Sequence, residues 1–127
     1  MKYSIVASKP KDLRSLILKS VRDGKDAHDS SIDTWEVRVV TINKKDGTKT
    51  TEDMLVHTTQ AWADWGCIRL VVDEESLRHV YAQFLYWDNI PQEDCDGTHE
   101  LYLYGRLTEL LLVHFNEKIT SVMITQK

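Results

Sequence analysis

The side chains best suited to chemistry in this chain are five histidines, at positions 28, 57, 79, 99 and 114, and two cysteines, Cys67 and Cys95. A thiol made nucleophilic by a neighbouring imidazole is recognised by a local pattern around the cysteine, and neither cysteine sits in one. Cys67 opens an apolar run and reads as core, and His114 beside Phe115 reads as a strand residue near a turn. Both thiols are expected to be free, because a single cysteine pair with no secretion signal is the usage of a reducing compartment.

Metal and phosphate chemistry are poorly provided for. Cys95 and His99 form one Cys-x3-His pair where a structural zinc site takes four ligands. Asp94-Cys95-Asp96-Gly97 imitates part of a calcium loop, yet with Gly97 in the sixth position the first and twelfth fall on Gln92 and Leu103. The five glycines stand singly at 24, 47, 66, 97 and 105, so no phosphate-cradling turn is present. No metal and no cofactor is expected. Asp88, Asp94, Asp96 and Glu100 could supply an acid–base pair, but carboxylates on a loop are usually solvated rather than tuned. A small hydrolase with a histidine and a carboxylate in a pocket under that loop is the alternative; a protein without catalysis is preferred.

The elements that carry these residues can be placed by periodicity. Tyr3 to Ala7 is a short apolar segment. Pro10 at a first helical position, the stripe Leu13, Leu16, Ile17 and Val21, and Gly24 as a stop predict a helix over about 9–23. Trp35, Val37 and Val39 alternate with Glu36 and Arg38, and the Asp46-Gly47 turn joins 35–43 to a Thr-rich extended stretch, 48–58, as a hairpin. Cys67 to Val72 is a β-branched run suited to a buried strand. Asp73 can cap a helix, Glu74 and Glu75 suit its positive end, and Leu77, Val80, Tyr81 and Phe84 share one side of a helical wheel. A second helix over about 74–87 is therefore predicted, with His79 and Tyr86 turned away from its apolar side.

Residues 88–98 hold Pro91, Gly97 and four carboxylates and read as a long acidic loop. Glu100 to Tyr104 fits either an edge strand or a helical turn. Leu107 to Phe115 is helical by propensity, but its unbroken Leu110 to Val113 suits a central strand buried on both faces, and the strand is preferred. Ile119 to Ile124 would then pair with it through a turn at Asn116 to Lys118. The sum is a single α+β domain over 1–127, a mainly antiparallel sheet of about five strands with two principal helices.

With 127 residues, 42% of them apolar, the chain is long enough for one core and too apolar for disorder. Met1 to Val6 stops short of a signal-peptide core and no window approaches a membrane span, so a soluble cytoplasmic protein is expected. Charge is uneven. Residues 1–63 carry 11 Lys and Arg against 9 Asp and Glu, whereas 64–127 carry 5 against 11. An acidic half repels nucleic acid and attracts a cationic surface, which points to a basic protein partner and against direct binding of nucleic acid or membrane.

Aromatic residues flank the acids: Trp62 and Trp65 bracket Asp64, while Tyr86 and Trp87 precede the acidic loop and Tyr102 and Tyr104 follow it. Such mixtures supply interface anchors, although the tryptophans also suit a core. The partner-binding set expected on this basis is Tyr86, Asp88, Glu93, Asp94, Asp96 and Glu100. Carboxylates spaced in rows would instead suit an acidic mimic of nucleic acid of phage origin. The segment Ala63-Asp-Trp-Gly-Cys-Ile-Arg-Leu70 and the closing pattern Leu112 to Val122, in a small acidic α+β chain, resemble small bacterial toxin-immunity proteins, including those of contact-dependent growth inhibition systems. The resemblance implies a cytosolic immunity or antitoxin-like protein that neutralises one cognate toxin, often a nuclease, by covering its active site or substrate surface. It carries over no residue by position.

Overall fold

The computed structural model describes residues 1–59 and 62–126. Among them, six strands form one sheet: β1 (Lys2–Val6), β2 (Trp35–Asn43), β3 (Lys49–His57), β4 (Gly66–Val72), β5 (His79–Tyr86) and β6 (Ser121–Thr125). Two α-helices join them, α1 (Pro10–Asp23) between β1 and β2, and α2 (Thr98–His114) between β5 and β6. The strand order is β2-β3-β4-β5-β1-β6 and every pairing is antiparallel. The α+β class holds, with one strand more than the approximate five.

The first helix follows its sequence signals. Pro10 opens it, and Gly24 ends it at φ 74°, a left-handed conformation that lets its N–H reach back to the last carbonyls of the helix. Leu13, Ile17, Leu18 and Val21 are buried against the sheet. The β2–β3 hairpin pairs Trp35 with His57 through to Asn43 with Lys49, and Asp46 closes its turn by accepting the Thr48 N–H at 2.9 Å.

Three expectations are corrected. Residues 79–86 of the expected 74–87 helix are strand β5, paired with β4 from Val72↔Val80 to Gly66↔Tyr86 and with β1 from Val6↔His79 to Tyr3↔Ala82. Val80 and Phe84, four residues apart, share one strand face and pack in the main core, Tyr81 lies on the opposite face, and Leu77, 82% exposed, lies in the turn before the strand. Asp73 caps no helix; it accepts the Glu75 N–H at 3.0 Å and the Tyr81 hydroxyl at 3.0 Å, and so ties the β4–β5 turn.

Conversely, 107–115 is not a strand. It is the second half of α2, whose buried residues Leu103, Tyr104, Leu107, Leu110 and Leu111 recur at helical spacing while Leu101, Leu112 and Val113 stay exposed. The unbroken apolar run arises because apolar side chains occupy the outer as well as the inner face. The ambiguous 100–104 belongs to the same helix. Finally, β6 pairs with β1, Ile5↔Val122 at its centre, and not with the segment just before it.

Both helices pack on one face of the sheet, and their buried residues join Tyr3, Ile5, Leu55, Ile68, Leu70, Val80 and Ala82 in one core. Met54, Val56 and Cys67 form a smaller cluster on the other face, edged by Val40, Ile42, Leu85 and Trp87. Gly66 is required where β4 meets β5, because a Cβ there would sit 2.2 Å from the Leu85 carbonyl oxygen. Tyr104 reaches from α2 to β5, where its hydroxyl accepts the Phe84 N–H at 3.0 Å and donates to the Ala82 carbonyl at 3.2 Å. The β1–β5 register ends at Tyr3↔Ala82, so this hydroxyl takes the place of the missing strand neighbour.

Candidate functional site

Two regions gather polar side chains, one at each end of α2. At its N-terminal end lies the acidic segment, which leaves β5, makes a short 3-10 turn at Gln92–Asp94 and enters α2 through Gly97 at φ 86°. Asp88, Glu93, Asp94 and Asp96 are exposed and Glu100 is half-buried. None of the five lies within ion-pair distance of a Lys or Arg among the described residues. Asp96 accepts the Thr98 N–H at 3.0 Å, and that backbone bond with the Thr98 side chain holds its carboxyl below the usual range. Asp88, Glu93 and Asp94 face solvent, whereas Glu100, in the first turn of α2, lies against Tyr104.

The segment is fastened from behind. Trp87 donates its indole N–H to the Ala63 carbonyl at 2.7 Å and its backbone N–H to the Trp65 carbonyl at 3.1 Å. Tyr86 faces Phe84 and His99, and its hydroxyl accepts the Gly97 N–H at 3.2 Å and shares a hydrogen bond with His99 Nδ1 at 3.2 Å. The helical geometry that turned Tyr86 outward does not exist. It is a half-buried strand residue whose hydroxyl is engaged within the chain. Trp65 stacks on His99 at 3.9 Å, and Trp62 stacks on Tyr102 at 3.9 Å. The aromatics flanking the acids thus support the segment; the exposed apolar side chain beside it is Leu101, 59% exposed, which periodicity did not single out.

The second region is a cleft of about 380 Å³ between the C-terminal half of α2, the loop before β2 and the end of β3. Tyr102, Arg106, Glu109 and Val113 reach it from one side of α2, facing Trp35, His57 and Thr59. Arg106 donates from Nε to the Tyr102 hydroxyl at 3.0 Å and from Nη1 to Glu109 at 3.2 Å. Burial, and after it the charge of Arg106, pull His57 below the usual histidine range. Its Nδ1 lies 3.0 Å from the Thr59 hydroxyl.

At the far end of the cleft His114 Nδ1 meets Asp26 Oδ2 at 2.7 Å. Asp26 is buried and its Oδ1 accepts the backbone N–H groups of His28 and Ser30 at 2.8 and 2.9 Å. Sequence reading placed His114 in a strand and passed over Asp26. The one local signal was Asp26 followed by small and polar residues, the composition of a side chain that bonds its own loop.

No protein-family model, no curated protein and no solved structure matches this chain. Its own geometry is therefore the ground for a functional reading. Among the described residues, His57 and His99 lie within hydrogen-bond reach of no Asp or Cys, and no three His, Cys, Asp or Glu side chains converge as metal ligands. Both cysteines are free, Cys67 in the small cluster of the outer sheet face and Cys95 in the acidic segment. No described helix is long and apolar enough to cross a membrane.

Proposed function

We propose that the protein is a non-catalytic, immunity-type inhibitor that acts in the cytoplasm by binding a cognate toxin domain with a basic surface, a nuclease by the resemblance of its sequence. The observation that carries this reading is the set Asp88, Glu93, Asp94, Asp96 and Glu100: five carboxylates on one segment, unpaired with cations among the described residues and held on a buttress of stacked rings. Unpaired surface charge of one sign speeds the approach of an oppositely charged protein, and the same field repels the nucleic acid that would compete for it. Leu101, exposed beside Glu100, gives such an interface an apolar contact, while Tyr86 positions the segment from behind. Gathering on one segment also favours this reading over a nucleic-acid mimic, which needs charges in rows.

The test uses the full chain and the protein encoded by the adjacent gene. Association is measured at low and high salt for the native chain and for a variant with Asp88, Glu93, Asp94, Asp96 and Glu100 replaced by Asn or Gln. The native association rate should fall by about tenfold or more on adding salt, and the variant should be slow at both. Equal rates for the two proteins would remove the acidic segment from the interface.

Under the acidic segment, where a small hydrolase was expected, His99 bonds Tyr86 and, among the described residues, no carboxylate. One observation favours that second reading elsewhere: His114 is oriented by a buried carboxylate and lines a cleft. Hydrolysis of simple esters or phosphate esters that disappears in His114→Gln would support it, and activity unchanged in that variant would remove it.

A further inference from the structure

The cleft beside α2 has the parts of a ligand site, whatever the acidic segment binds. Arg106 commits Nε to Tyr102 and one hydrogen of Nη1 to Glu109, which leaves three of the five guanidinium N–H groups without a partner among the described residues. The guanidinium lies 5.1 Å from the Tyr102 ring centre, within reach of a cation–π contact. Its bond to Glu109 is long and both side chains are largely exposed, so a better-placed anion can displace that carboxylate. His114 is held through Nδ1 by Asp26, which fixes the ring and leaves Nε2 without a partner among the described residues. Trp35, Leu110 and Val113 supply apolar wall, and about 380 Å³ is room for a small molecule.

We propose that this cleft binds a small anion, a carboxylate or phosphate carried on an apolar body, seated on the free edge of Arg106 and against the apolar wall, with the His114 ring closing the far end. Asp26 turns both of its oxygens to His114 and to backbone N–H groups, so it presents no free lone pair to such a ligand. Glu109 and Asp33 do oppose it from the rim, and their removal therefore reports the sign of the ligand's charge. The inference stands on the cleft alone and holds whether or not the hydrolase reading does.

The full-length protein is titrated with phenyl phosphate, benzoate and benzamidine while NMR follows the Trp35 indole and the ring signals of His57 and His114. Saturable shifts with phenyl phosphate or benzoate are expected, and the tighter of the two identifies the anionic group. Arg106→Gln should weaken binding by about tenfold or more, as loss of a charge-assisted pair does, and Glu109→Gln should strengthen it. Both positions are exposed enough for the fold to persist, which the rest of the spectrum reports. The proposal is overturned by the absence of saturable shifts with either anion, by tighter binding of benzamidine, or by Arg106→Gln binding as well as the native chain.

Discussion

His114 Nδ1 lies 2.7 Å from Asp26 Oδ2, so the last residue of α2 is tied to the loop that follows α1. The bond to His114, and after it the N–H groups of Ser30 and His28, hold the Asp26 carboxyl below the usual range. A depressed folded pKa means that the contribution is present above the unfolded value of about 4 and is lost as pH falls through the folded value. The urea midpoint should therefore drop more steeply on acidification below about pH 5 in the native chain than in Asp26→Asn. Asp23, Asp46, Asp73 and Asp96 are also depressed, so the variant keeps part of the slope. Parallel curves for the two proteins would show that the pair adds nothing to stability.

Tyr104→Phe removes the hydroxyl that stands in for a strand beside Phe84 and Ala82. A buried N–H left without a partner costs about 1–3 kcal/mol. Urea denaturation should show a loss in that range, with faster hydrogen exchange at the Phe84 amide. Unchanged exchange at Phe84 would mean that water or a neighbour replaces the hydroxyl.

Tyr86→Phe keeps the ring contacts with Phe84 and His99 but removes the acceptor of the Gly97 N–H. We expect a global loss of about 1 kcal/mol and a larger local effect, faster exchange of the Gly97 amide and its neighbours in the acidic segment. An exposed anchor with no structural role would leave exchange at Gly97 as it was.

Cys67 and Cys95 should differ sharply toward a thiol reagent at pH 8. Burial pushes the Cys67 thiol up to about 11, and the thiolate is the reacting species. Labelling followed by mass spectrometry should find Cys95 modified first, with Cys67 reacting only as the protein unfolds. Equal rates in native protein would show that the cluster around Cys67 opens readily.

Local signals were legible where an element carries one unambiguous stripe or pairs with its neighbour in the chain. The stripe of α1 with Pro10 and Gly24, the β2–β3 hairpin about its Asp46-Gly47 turn, and the β-branched β4 all meet that condition. So did the gathering of carboxylates between Asp88 and Glu100, because charge along a short segment stays together in any fold. Residues 79–86 and 107–115 were misread because their patterns satisfy two periods at once. What decides between them is distant: β5 is a strand because β1, from the other end of the chain, lies along its free edge and lends it hydrogen bonds.

From its residues alone, the chain determined its class, its first helix, its hairpin and the place where negative charge collects, all consequences of neighbours in sequence. Tertiary structure decided the rest. It set β1 between β5 and β6, turned the Leu-rich C-terminal third into a helix over the sheet, drew Tyr86 inward, and joined Asp26 to His114 at the end of a cleft. These depend on contacts between residues far apart in the chain, where burial and pairing outweigh the small free-energy differences of local propensity.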